Sequence, residues 1–218
     1  MFTGIIRAIG EVERLEPRGG DMRLHIRAGK LDLGTAALGD SIAVNGVCLT
    51  AVALGGGSFS ADISRETLSL TTLGDLAPGA RVNLEPALTL ATPLGGHLVS
   101  GHVDGVGTVL DMREEARSRR LQIHAPGELA RYIANKGSIS VDGTSLTINE
   151  VRGAVFSLNI VPHTLNETII GRYTAGTRVN LEVDLIARYL ERLILGDHGG
   201  EADVGVITEE LLQRHGFM

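Results

Sequence analysis

A chain of 218 residues, 43% hydrophobic and 21% charged, holds enough material for two domains of ~90 residues with separate cores, plus a tail. Its net charge of −6 gives nucleic-acid binding no electrostatic support, and no segment approaches the ~18–20 uninterrupted apolar residues of a membrane span. The single cysteine, Cys48, has no partner for an internal disulfide and the N-terminus lacks a basic, apolar leader, so a reducing cytoplasm is the expected location.

Residues 4–15 alternate loosely up to a polar turn at Pro17–Asp21, and Arg23–Arg27 alternates at period two, which predicts a hairpin. Residues 30–38, rich in Ala and Leu, predict a short helix. Strand character resumes at Ser41–Val44, and Gly46 interrupts it as a bulge or a point of close backbone approach. A turn at Gly55–Gly57, a strand over Ser58–Ile63, a helical turn over 65–73 and a strand from Arg81 to Pro86 complete the pattern. After the hinge Gly95-Gly96-His97 the pattern starts again. Val44-Asn45-Gly46-Val47-Cys48-Leu49-Thr50 returns 97 residues later as Val141-Asp142-Gly143-Thr144-Ser145-Leu146-Thr147, and residues 1–85 share 28 ungapped identities with 98–182. The chain is a tandem of two copies, the second with its clearer short helix at Gly127–Asn135. Short strands punctuated by glycine predict a small antiparallel barrel in each copy, although a sandwich fits the same pattern.

Beyond Asp184, which is placed to cap a helix, Leu185, Ile186, Tyr189, Leu190, Leu193 and Ile194 fall on one helical stripe that Gly196 ends. A helix of about ten residues is marginal unless its apolar face is covered, so self-association is expected. Asp197–Gly205 reads as a linker and Thr208–Leu212 as the start of a last short helix. The basic run Arg117–Arg120 lies where a hairpin turn is expected and reads as a solvated loop.

Equivalent positions of the two copies serve as a comparison. Gly46/Gly143, Leu49/Leu146, Thr50/Thr147 and Thr67/Thr164 combine close-approach glycines, hydroxyls and apolar residues, as a pocket for a flat, polar-edged ligand would. The plainer alternative is that these residues only build the barrels. Differences fall on reactive types: Cys48 stands where the second copy has Ser145, and His102 where the first has Ile5. A thiol is a usable nucleophile and an imidazole a natural proton shuttle near neutral pH.

With these residues in view, the chain resembles riboflavin synthases of the duplicated-barrel type. Met1-Phe2-Thr3-Gly4-Ile5-Ile6, Asn45–Thr50, Gly95–His102, Asp142–Thr147 and Asn180–Asp184 carry the resemblance, which covers about residues 1–195. It implies a mainly β fold of two six-stranded antiparallel Greek-key barrels, at 1–97 and 98–184, with an oligomerisation helix and tail at 185–218. It implies dismutation of two 6,7-dimethyl-8-ribityllumazine molecules by transfer of a four-carbon unit, without cofactor or metal. It further implies a homotrimer whose active sites lie between the first barrel of one subunit and the second of its neighbour, and it leaves a capsid-forming lumazine synthase open as a partner. By the same resemblance, Gly4, Ile5, Ile6, Cys48, Leu49, Thr50 and the turn Asp62-Ile63-Ser64-Arg65-Glu66-Thr67 line a first pocket. Lys136, Ser145, Leu146, Thr147 and the turn Val161-Pro162-His163-Thr164-Leu165-Asn166 line a second, joined by Gly101, His102 and Val103. His102 is expected to assist proton transfer, Cys48, Ser145 or a water they activate to supply the nucleophile, Asp184 to polarise, and Phe2 to pack over the substrate. The rivals are a non-catalytic lumazine antenna protein of the same fold and, more weakly, a flavin reductase barrel, for which no dinucleotide-binding segment is present.

Overall fold

In the computed structural model, which describes residues 1–195 and Gln213, every strand of the first copy has a counterpart in the second. The first copy consists of β1 (Ala8–Arg18), β2 (Asp21–Arg27), β3 (Ser41–Val44), β4 (Val47–Gly55), β5 (Ser58–Ile63) and β6 (Arg81–Pro86), closed in the order β1-β2-β5-β4-β3-β6. The second consists of β7 (Gly105–Glu115), β8 (Ser118–His124), β9 (Ser138–Val141), β10 (Thr144–Arg152), β11 (Val155–Ile160) and β12 (Arg178–Val183), and it closes the same way. Closure leaves no exposed edge, and the barrel rather than the sandwich is the architecture. Register shifts at Val12/Arg14 and Ala51/Ala53 recur at Val109/Asp111 and Ile148/Glu150, so the bulges that bend the strands into a barrel are duplicated with the strands.

Alternation along the strands fills each interior. Leu24, Ile26, Leu49, Phe59, Ile63 and Leu84 are buried in the first barrel, and Leu121, Ile123, Ile148, Phe156, Leu158 and Leu181 in the second. A short helix follows β5 in one copy (α1, Arg65–Leu70) and β11 in the other (α2, Pro162–Glu167). The helix expected over 30–38 does not form. Those residues make successive turns, in which Asp32 Oδ1 accepts from the Gly34 N–H and Asp40 Oδ2 from the Ala37 N–H, local bonds that compete with helical ones. The expected helix at 127–135 is a 3-10 helix over Gly127–Tyr132.

Met1–Leu185 form one unit that contains both barrels. Helix α3 (Leu185–Leu195) leads into the other, and its Ile186, Tyr189, Leu190, Leu193 and Ile194 are exposed. The expectations for Gly196, the linker and the last short helix fall outside the described residues.

The two barrels are joined by a seam of backbone and amides. Gly46 is a point of close backbone approach, as expected, but it lies in a turn and not inside a strand. Asn45-Gly46 and Asp142-Gly143 are two-residue hairpin turns between β3 and β4 and between β9 and β10, with positive φ at all four residues. The turns meet backbone to backbone: a Cβ at Gly46 would stand 2.6 Å from the Gly143 nitrogen, and one at Gly143 2.8 Å from the Gly46 nitrogen. Buried Asn83 and Asn180 stitch the seam reciprocally. Asn83 Nδ2 donates to the Asp142 carbonyl (2.9 Å) and Oδ1 accepts from the Ile169 N–H (2.8 Å). Asn180 Nδ2 donates to the Asn45 carbonyl (2.8 Å) and Oδ1 accepts from the Thr72 N–H (2.8 Å). Within each barrel, Asn45 Oδ1 accepts from the Asn83 N–H and Asp142 Oδ1 from the Asn180 N–H. The symmetry breaks where Asp142 replaces Asn45: Tyr173, in the position of Leu76, donates its hydroxyl to Asp142 Oδ2 at 2.5 Å.

Two outcomes follow from the seam. Asn83→Ala strands two buried backbone groups and lowers unfolding free energy by about 2–5 kcal/mol in urea titration. Burial raises the Asp142 carboxyl from 3.8 to about 7, against the hydrogen bonds from Tyr173 and Asn180. The folded state therefore keeps a proton that the unfolded chain releases, and stability present below pH 4 is lost as pH rises to about 7, by up to about 4 kcal/mol. Asp142→Asn, which restores the residue of the first copy, removes that loss, so its melting temperature gains on the parent's between pH 5 and pH 8.

Candidate active site

Each copy is preceded by a short segment that its own barrel clamps and the other barrel receives. Buried Glu85 of β6 accepts from the Thr3 N–H and hydroxyl (both 2.7 Å) through Oε1 and from the Gly4 N–H (3.0 Å) through Oε2. Glu182 of β12 does the same for the Ser100 N–H (2.6 Å), its hydroxyl (2.8 Å) and the Gly101 N–H (3.0 Å). Burial pushes both carboxyls above the usual range, and the donors they accept from oppose it. Thus held, the Gly4 carbonyl accepts from the Ser145 N–H of β10, and the Gly101 carbonyl from the Cys48 N–H of β4, each at 2.8 Å. The segments also pair with each other through Phe2 and Val99.

Two half-sites result. On β4, Cys48 and Thr50 turn outward while Leu49 between them lies in the core. Gly101 lies against Cys48 so closely that a Cβ would come within 2.6 Å of the Cys48 Cβ, and exposed His102 follows it. On β10, Ser145 and Thr147 turn outward, with Gly4 against Ser145. Thr50 and Thr147 are both exposed, so each half-site is an open face.

The structure regroups several expected site residues. Gly4 bonds to Ser145 and not to Cys48, because the leading segment of each copy crosses to the other barrel; Ile6 accordingly lies beside Gly143, while Val103 packs against the first barrel's core. Leu49 and Ile63 face that core by strand alternation, and Leu146 and Leu165 pack against the second. Phe2 is fully buried with Ala43 and Val99, its ring under Gly101, and supports Cys48 from behind instead of covering a ligand. Asp62, Ser64, Arg65 and Glu66 are exposed with Thr67 half-buried; Val161, Pro162, His163 and Asn166 are exposed with Thr164 half-buried, as is Ile5. Lys136 is exposed at a positive-φ turn before β9.

His97 is the group that sequence reasoning passed over. Its Nδ1 lies 2.6 Å from Ser145 Oγ. The hinge places it there: the His97 N–H donates to the Thr3 carbonyl, and Gly96 approaches the same carbonyl so closely that a Cβ would stand 2.2 Å away. Burial pushes the His97 imidazole below its usual range, and the Asp184 carboxylate partly opposes that. A neutral imidazole therefore faces a serine hydroxyl, the arrangement that removes a hydroxyl proton as the oxygen adds to an electrophilic carbon. His97 Nε2 is buried without a hydrogen-bond partner among the described residues. Among those residues no group of three His, Cys, Asp or Glu is arranged to hold a metal ion.

The lumazine binding domain model matches residues 3–87 and 100–184. The riboflavin synthase of Photobacterium phosphoreum is 46% identical over 218 residues, covering both chains in full. That of Mycobacterium tuberculosis is 46% identical over 198 residues (89% of this chain, 98% of the relative), and that of Bacillus subtilis 38% over 217, covering both in full. Among solved structures, LumP complexed with riboflavin superposes with a TM-score of 0.78 at 28% identity, over 84% of this chain and 99% of that one.

The Asp184 carboxylate stabilises the His97 imidazolium, so Asp184→Asn lowers the His97 pKa further; NMR titration of the ring carbons reads the shift, and an unchanged or raised value contradicts the coupling.

Proposed function

The chain belongs to the riboflavin synthase family of tandem lumazine-binding domains, and from that membership we propose a division of labour between its half-sites in the dismutation of 6,7-dimethyl-8-ribityllumazine. The products are riboflavin and 5-amino-6-ribitylaminopyrimidinedione. The observation that carries the reading is duplication with unlike reactive groups: two open faces of common design, one with Cys48 and His102, the other with Ser145 paired to His97. A reaction between two identical heterocycles needs two like pockets and unlike chemistry within them.

One molecule lies against Cys48 and Thr50, the other against Ser145 and Thr147. The 7-methyl group of one loses a proton, with His102 assisting the transfer, and its anion delocalises into the ring. Ser145 Oγ adds to C7 of the other while His97 Nδ1 takes the hydroxyl proton; elimination later returns that proton and frees the serine. Before that elimination the carbanion, as the acceptor, attacks an electrophilic ring carbon of the serine-bound donor, and a second bond from the acceptor's 6-methyl carbon closes a six-membered carbocycle. The donor's C6–N5 and C7–N8 bonds break, so its two ring carbons with their methyl groups stay on the acceptor. The four hydrogens lost from the acceptor's two methyl groups leave on the pyrimidinedione. Holding two rings face to face contributes up to about 7–11 kcal/mol by removing a bimolecular encounter.

An open half-site needs a cover. The exposed apolar residues of α3 support assembly into a homotrimer, in which the first half-site of one subunit closes on the second half-site of its neighbour. The cytoplasm is the proposed location, and a capsid-forming lumazine synthase the proposed partner. The non-catalytic antenna reading is less well supported, because relatives matching the whole chain at 38–46% identity are riboflavin synthases, against 28% for LumP.

Purified protein given only 6,7-dimethyl-8-ribityllumazine forms one riboflavin per two substrates over many turnovers; binding without conversion contradicts the proposal. His97→Ala and Ser145→Ala each lower kcat by about 10²–10³-fold, and the double variant is little worse, because the two groups act as a unit.

A further inference from the structure

The turns after β5 and β11 occupy equivalent places, at the ends of strands that pair with β4 and β10, yet they are held by different means. In the first copy the β1–β2 hairpin reaches the turn twice. Arg23 of β2 stands directly opposite Asp62 of β5 and grips it as a fork, Nε to Oδ1 at 2.6 Å and Nη2 to Oδ2 at 2.7 Å. At the hairpin tip, Asp21 Oδ1 accepts from the Arg65 N–H at 3.0 Å, the first backbone donor of α1. Ser64 Oγ accepts from the Thr67 N–H and completes the cap.

In the second copy each contact is replaced. Arg120 stands opposite Asn159, which has no charge to offer, and its guanidinium turns to Glu115 (2.5 Å and 3.0 Å) on its own hairpin, with longer contacts of 3.4 Å to Glu150 and Ser157 and none to the turn. Pro162 occupies the position of Arg65 and has no N–H to be capped, while its ring fixes the first helical φ. One turn is fixed by covalent geometry, the other by charge.

We propose that Arg23 and Asp21 are positioning residues for the first half-site alone, setting the 62–67 turn against the ligand bound beside Cys48 and Thr50. The inference rests on the ligand placement proposed above. Part-exposed ion pairs contribute little stability: the Arg23 side chain is 23% exposed and that of Asp62 46%. A fork that fixes a binding turn shows itself in affinity more than in folding.

Riboflavin titration followed by fluorescence quenching tests this on the full chain. The parent binds at two sites per chain. Arg23→Gln weakens one of them about three- to tenfold, leaves the other unchanged, and raises KM more than it lowers kcat. Arg23→Lys recovers part of the loss. Arg120→Gln, which removes the equivalent guanidinium and its bonds to Glu115, changes neither site. Should Arg23→Gln fail to fold, Asp62→Asn breaks the same fork with the residue that the second copy carries at that position. Equal effects of Arg23→Gln and Arg120→Gln, or no effect of breaking the fork, overturn the positioning role. A parent that binds no riboflavin overturns the ligand placement itself and the inference with it.

Discussion

Gly46 and Gly143 meet so closely that neither has room for a methyl group, and the two hairpin turns they belong to present backbone to backbone across the boundary between barrels. Polar backbone brought together away from water needs partners, and Asn83 and Asn180 supply them from the facing strands. Contact at the turns fixes how β4 and β10 lie relative to the segments that precede each copy. Those segments then find their hydrogen-bond partners in the other barrel, Gly4 at Ser145 and Gly101 at Cys48. Neither half-site belongs to one copy.

Once the seam has fixed a common frame, sequence differences between copies act as differences in chemistry at a constant geometry. A thiol in one half-site is matched by a hydroxyl in the other, and His97, from the linker between the copies, lies against the hydroxyl. Asp142 and Tyr173 make the second turn proton-sensitive where Asn45 and Leu76 leave the first neutral. Duplication accounts for the paired surfaces, and divergence at a few positions for their unlike side chains.

Much of this was legible in the sequence. Strand alternation, the 97-residue offset and the spacing of turns located the strands and the duplication, and the resemblance supplied the Greek-key barrels. Asn45-Gly46 and Asp142-Gly143 carried a hairpin signal, yet reading Gly46 as an interruption of one strand missed the turn. The stretch 30–38 had helical composition, but glycines and the caps of Asp32 and Asp40 decided its conformation locally. Half-site residues on β4 and β10 could be listed but not grouped, since the crossing of Gly4 and Gly101 depends on pairing between copies, which no local pattern encodes. His97 was hidden for the same reason: what singles it out is a contact with a residue 48 positions away.

A crystal structure of the protein with riboflavin bound tests most directly whether the half-sites are built across the copies. One ligand ring is expected beside Cys48 and Thr50 with Gly101 and His102 at its edge, and a second beside Ser145 and Thr147 with Gly4 and Ile5 at its edge. Ligand inside a barrel, or rings contacted by residues of one copy alone, contradicts the account.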